Sequence, residues 1–254
     1  MIKFFRRIRQ QLLTESKFSR YLLYAVGEIV LVVVGILIAL GVNNWNQEAK
    51  DRQAGEAHLE RIHRDLVQDT TSFRRIIVRN EELRTEIRAL LVSLYGGVDS
   101  IAQVQRMSAT YDKALDQVFA PNDKTYRSLV GSGTLGLIGN LELRDAIVDL
   151  YGEYDEKGAL LAAIRQWMGG VASTVDTETD FIKFNSEAID IYTTPEMLNA
   201  SDYAFLNDKD DPRFKYVVRA ISAAAFQQQA NNAFYHELIS RCRAVLQQID
   251  GELK

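Results

Sequence analysis

From Tyr21 to Val42 the chain reads YLLYAVGEIVLVVVGILIALGV, and its one charge is Glu28. An α-helix rises about 1.5 Å per residue, so about 20 residues cross a bilayer core of about 30 Å. This run is therefore long enough to span a membrane. Everything else divides around it. Residues 1–20 are short and basic, residues 21–43 form the expected transmembrane helix, and residues 44–254 are long, acidic and patterned for soluble helices. The last segment is sufficient for one sizeable globular domain.

The net charge of −4 is unevenly spread: residues 1–20 carry +5, Glu28 contributes −1, and the remainder carries −8. An acidic domain repels phosphate, so no nucleic-acid partner is expected. Lys3, Arg6, Arg7, Arg9, Lys17 and Arg20 precede the apolar run, whereas Lys50, Arg52 and Arg61 follow within a similar distance. Positive charge stays cytoplasmic, which predicts the N-terminus inside and the large domain outside. Tyr21, Tyr24 and Trp45 suit the two interfaces. KFFRRIRQQLL places basic and apolar residues at helical spacing, as in a segment lying along the inner lipid surface. A cleaved leader is the rival reading, with Ile29 to Leu40 as its apolar core and Ala39-x-Gly41 as the cleavage site. The long leading segment and the full bilayer length of the run favour a retained anchor.

A carboxylate within a bilayer is costly and usually faces protein or water. Glu28, Gly35 and Ala39 recur at seven and four residues and so share one helix face. Gly35-x-x-x-Ala39 is a small-xxx-small pattern. The functional reading is a helix–helix contact, with a second copy or with a membrane partner. The plainer reading is a neutral Glu28 that bonds Tyr24 one turn back or reaches the inner interface.

KFSRYLLYAVGEIVLVVVGILIALGVNNWNQE resembles the start of a family of uncharacterised bacterial single-span membrane proteins, which share a basic start, the apolar span and an NNWN exit. YRSLVGSGTLGLIGNLELRDAIVDLY, residues 126–151, resembles the same family. Gly41 stands where such proteins often carry a longer polar side chain, leaving room for close packing. The resemblance implies an inner-membrane-anchored helical protein. It transfers no catalytic residue.

Beyond the run, Leu59, Ile62, Leu66, Asp69, Phe73, Ile76, Asn80, Leu83, Ile87, Leu90 and Leu94 step by three and four, the seam of a long helix. With no proline from Trp45 to Tyr95, that helix would extend about 75 Å. Gly55 is its weakest point, and Gly96-Gly97 stops it. Ser100 and Gln103 form a capping-box signature for a second helix, whose apolar face ends at Val118. A short helix follows from Asp123 to Val130, and Asn140 caps the next. Gly169-Gly170 predicts a kink or break, followed by another helical segment from Val171 to about Tyr192. Thr194-Pro195-Glu196 reads as the start of a short helix, and residues 199–211 as a loop. Asp211-Pro212 opens the last helix, whose seam runs from Phe214 to Leu253. Two long seams and two broader amphipathic helices predict an all-α fold, an antiparallel helical bundle behind the transmembrane helix.

Chemistry-bearing motifs are sparse. Gly131-x-Gly133-x-x-Gly136 matches a dinucleotide fingerprint by letter, but the surrounding pattern is helical, so the glycines read as a turn. Glu60-x-x-His63 is half of a carboxylate-bundle metal motif, and Ala233 stands where His236 would need its glutamate. His58 and His63 diverge on a helix. Ser132 lacks the Gly-x-Ser-x-Gly context. Cys242, the only cysteine, suits core packing at an apolar helix position. No metal, cofactor or catalysis is expected. Asp69, Asn80, Gln228 and Asn232 interrupt the two seams, either as a polar layer that fixes register or as a ligand pocket. Tyr111, Tyr126, Tyr151, Tyr154 and Trp167 either line a groove or, as aromatics at helical spacing more often do, pack in the core.

The expected role is therefore a membrane-anchored scaffold or interaction protein of the inner membrane, with its bundle in the periplasm. It would contact lipid and either a membrane protein partner or a second copy. The alternative is a ligand-sensing bundle that signals through a separate membrane partner, since 20 residues inside leave no room for an output domain.

Overall fold

The computed structural model describes residues 16–115 and 118–254. The expected surface segment at the N-terminus falls largely on residues outside that description, as do the side chains of Tyr21 and Tyr24. Among these residues there are five α-helices: α1 (Ser16–Gly96), α2 (Ile101–Leu115), α3 (Lys124–Ser132), α4 (Leu141–Thr179) and α5 (Pro212–Glu252). Among the described residues there is no strand. Residues 1–55 and 56–254 form two compact units.

In the first unit, α1 runs unbroken through Gly27, Gly35 and Gly41. Its most apolar window has a mean hydropathy of 2.7, and none of it is buried. Uncovered valine, leucine and isoleucine at this density is what a lipid-facing helix presents, by length and composition.

In the second unit, side-chain contacts fix the helix directions. His63 meets Asp250, Asn80 meets Asn232 and Tyr95 meets Phe214, so α1 and α5 are antiparallel. Asn140 meets Glu252, Glu153 meets Arg241 and Trp167 meets Phe226, so α4 and α5 are antiparallel too. Two apolar clusters lie along the three long helices. The proximal one, nearest Glu56, gathers Leu59, Ile62 and Leu66 of α1, Leu129 of α3, Ile138 just before α4, Ile147 and Leu150 of α4, and Leu238 and Ile249 of α5. The distal one gathers Leu83, Ile87 and Leu94, Val104 and Met107 of α2, Met168 of α4, and Phe214 and Ile221 of α5. The fourth position of the bundle is thus shared: α2 fills it distally and α3 proximally.

Local chemistry accounts for the boundaries. α1 ends at Gly96, and Gly97 takes a φ of 100°. Gln103 reaches back to the Asp99 N–H at 2.8 Å, so the capping contact falls one residue before the expected Ser100. α2 ends at Leu115, and Val118 is exposed rather than part of an apolar face. Gly133 adopts the left-handed conformation (φ 71°), and its N–H closes the last turn of α3. A 3-10 turn, Thr134–Leu137, then drives Ile138 into the proximal core. Asn140 accepts the Leu143 N–H at 3.1 Å and caps α4.

Three expectations are corrected. Gly169-Gly170 does not break α4, which continues to Thr179; packing of Met168 and Val175 outweighs the weak propensity of two glycines. Residues 181–192 form 3-10 turns rather than an α-helix, because Asp180 takes a φ of 52° and ends α4. Thr194-Pro195-Glu196 makes a single turn, and the segment read as a loop at 199–211 folds as two 3-10 turns that bury Tyr203, Phe205 and Leu206. Those side chains lack helical periodicity because their backbone is not α-helical.

Candidate functional site

Between the two apolar clusters the interior is polar. Where α2 gives way to α3, the fourth position has no continuous helix to satisfy its own backbone, and a buried backbone group without a partner is costly. Side chains from the long helices meet that need. Gln228 donates to the Ala114 carbonyl in the last turn of α2 at 3.3 Å. Asp69 accepts from the Asn122 N–H at 2.9 Å and from its side-chain amide at 2.6 Å, holding the segment before α3. Asn80 donates to Asn232 at 2.7 Å, and Asn232 donates to Glu81 at 2.7 Å, joining α1 to α5. Asp69, Asn80, Gln228 and Asn232 are all buried, and the structure brings each to this break.

Asp69 is the centre of the arrangement. Tyr154 donates to its second carboxylate oxygen at 2.9 Å, and Cys242 Sγ lies 3.0 Å from the same tyrosine hydroxyl. An ionised Asp69 is acceptor-only. It therefore draws the Tyr154 proton, and the Cys242 thiol donates to Tyr154 in turn. Burial pushes the Asp69 pKa up, with the bonds from Asn122 and Tyr154 opposing it. Burial also raises Tyr154, and pushes the Cys242 thiol up to about 12, which leaves it an unreactive donor.

Phe119 closes the break. Its ring packs on Phe73 at 6.0 Å and on Tyr154 at 6.1 Å, and lies so close to α4 that a Cβ at Gly158 would sit 3.2 Å from it. Asn122, Glu81 and Phe119 were not singled out by sequence, and no periodic signal marks them.

A second polar group lies distally. Asn185 donates to Asp112 at 2.7 Å, and burial raises both Asp112 and Asp176. Among the described residues no three His, Cys, Asp or Glu side chains are gathered to hold a metal ion. His63 pairs with Asp250 at 3.2 Å, and burial lowers the pKa of His58.

In the first unit, Glu28, Gly35 and Ala39 are all exposed, and nothing lies within 4 Å of a Cβ placed on Gly35. Trp167 corrects another expectation: it is half exposed rather than core, because it sits at the outer edge of the contact between α4 and α5.

The sequence pattern of a family of unknown function (DUF6090) matches residues 28–165, more than half of the chain. The chain belongs to that family. No curated protein and no solved structure matches it. The DUF6090 match takes in Glu28, Gly35 and Ala39 together with Asp69, Asn80, Asn122 and Tyr154. Gln228, Asn232 and Cys242, all on α5, lie beyond it.

Proposed function

We propose that this DUF6090 protein is a membrane-anchored helical scaffold, with its N-terminus in the cytoplasm and residues 44–254 on the outer side of an inner membrane, in the periplasm. It has no catalysis of its own, and it holds its bundle beside a membrane protein partner or a second copy. The observation that carries this reading is the exposed apolar run of α1, a helix that continues into a bundle where Asp69 is bonded by Asn122 and Tyr154, and Asn80 bonds Asn232. The family match supports it further, since one pattern takes in most of the apolar run together with the first part of the bundle. The excess of Lys and Arg before the run supports the orientation.

The contact within the membrane is assigned to Glu28, Gly35 and Ala39. Gly35 and Ala39 allow close backbone approach, and Glu28 supplies a polar contact in lipid. Crosslinking in native membranes tests this. Glu28→Gln combined with Gly35→Leu should reduce the crosslinked species several-fold. An unchanged yield would remove the contact from that face, and absence of any crosslinked species from the unaltered protein would remove the scaffold reading.

A further inference from the structure

Two stripes of opposite charge run along the outside of the proximal half of the bundle. On α1, Arg61, Arg64, Gln68, Thr71 and Arg75 recur at steps of three and four, so they share one helix face. On α4, Glu142, Asp145, Asp149, Gly152 and Glu156 recur at the same steps. All of these residues are exposed, whereas Ile62 and Leu66 of α1 and Ile147 and Leu150 of α4 are buried in the proximal cluster. The core therefore lies between the stripes, and they do not meet within one molecule. From Glu60 to Asn80, α1 exposes five arginines and one full carboxylate, Glu60, while Asp65 is half-buried and Asp69 is buried. Among the described residues Arg61, Arg64 and Arg75 bind no carboxylate, and Glu142, Asp149 and Glu156 join no ion pair. From Leu141 to Glu156 the one basic side chain is Arg144, 4.0 Å from Asp145. Arg241 and Lys157, beside the acidic stripe, are bound to Glu153 and Glu237.

The stripes are also level. α1 and α4 both run antiparallel to α5, hence parallel to each other. Phe73 of α1 meets Tyr154 of α4 edge to face, with ring centroids 5.9 Å apart. That contact sets Arg64 level with Asp145, Thr71 with Gly152 and Arg75 with Glu156. The contacts through α5 agree within one turn, since His63 meets Asp250 where Asn140 meets Glu252. Each stripe is about 21 Å long at about 1.5 Å per residue.

Copies inserted the same way into one membrane present the same residue at the same height. The α1 of one copy and the α4 of the next then stand parallel and in register, arginine opposite carboxylate. Steps of three and four are those along which two helices keep contact. At the middle of the acidic stripe nothing lies within 4 Å of a Cβ placed on Gly152, so a neighbouring helix approaches closely there. One exposed ion pair contributes little and is screened by salt. A series in register selects the partner and its orientation. The net negative charge of the domain makes other encounters between copies repulsive.

We propose that copies of this chain associate head to tail, the arginine stripe of α1 in one against the carboxylate stripe of α4 in the next. A contact between two different surfaces closes into a ring or extends as a row. The proposal rests on the scaffold reading and names a second copy as the partner of the bundle.

The test uses the full-length chain in its own membrane. Thr71→Cys and Gly152→Cys are combined in one chain and oxidised with copper phenanthroline; the native Cys242 is buried. The expected result is a ladder of disulfide-linked dimers and larger species. Each single variant should stay monomeric alone, and the two expressed together should give dimers. Thr71→Cys with Ala159→Cys, displaced by two turns, should give several-fold less. Arg64→Glu with Arg75→Glu should lower the ladder about tenfold, and adding Asp145→Arg with Glu156→Arg should restore it. No ladder, a ladder from either single variant, an equal yield from the displaced pair, indifference to charge reversal, or no restoration by the swap would each overturn the head-to-tail contact. A photocrosslinking amino acid at Ala39 reports protein contact within the membrane separately. If its protein adduct persists where the ladder fails, the scaffold reading stands without this contact; if neither forms, both readings fall.

Discussion

Asp69 accepts three hydrogen bonds inside the bundle, two from Asn122 and one from Tyr154. Replacing it with alanine strands all three donors, and Asp69→Ala should cost about 3 kcal/mol of stability in denaturant unfolding. Asparagine behaves differently. Its oxygen still accepts from Asn122, its amide donates to the Tyr154 oxygen, and the tyrosine hydroxyl turns to Cys242. Burial raises the pKa of Asp69 above its ordinary value of 3.8. The folded protein therefore keeps a proton there at a pH where the unfolded chain has lost it. That contribution to stability is complete below the unfolded value and is lost as pH rises through the folded one. Asp69→Asn has no such proton. The melting temperature of the variant, relative to the unaltered protein, should rise as pH increases above about 4. A difference that is flat or falls with pH would contradict this account.

At the scale of elements, the polar interruptions of the seams follow from the handover between α2 and α3. A single long helix in the fourth position would have satisfied its own backbone; two shorter ones need Gln228 and Asp69. The two seams were legible because hydrophobic spacing along a helix is local, and so were the caps at Asn140 and Asp211. The polar positions Asp69, Asn80, Gln228 and Asn232 were visible as breaks in that spacing. Their partners were not: Asn122 lies 53 residues from Asp69, and nothing local marks it. Phe119 was invisible for the same reason, since its contacts come from three other elements. Gly158→Val would push a side chain into the Phe119 ring and should cost about 1–3 kcal/mol, measured by chemical unfolding. The bond between Asn80 and Asn232 gives a second expectation at this scale. Asn80→Leu and Asn232→Leu should each destabilise, and the double variant should lose less than the sum, by about 0.5–3 kcal/mol of coupling. Strict additivity would mean that the two amides do not act as a pair.

For the molecule as a whole, one chain combines an apolar run that is exposed among the described residues with a bundle that buries two apolar clusters. The apolar run was the most legible feature in the sequence, because twenty or so apolar residues in succession satisfy few other demands. The 3-10 turns at 181–207 were the least legible, since their buried aromatics follow neither a period of two nor one of 3.6. The central claim is that the run of residues 21–43 stays in the membrane and places the bundle outside. Cys242 makes a direct measurement possible: it is buried, burial pushes its thiol pKa up to about 12, and it should therefore stay silent to labelling reagents in the folded protein. A membrane-impermeant maleimide applied to a Lys254→Cys variant therefore reports the new thiol alone. The account predicts labelling in sealed spheroplasts and protection in inverted vesicles. Labelling in inverted vesicles with protection in spheroplasts would put the bundle in the cytoplasm and contradict it.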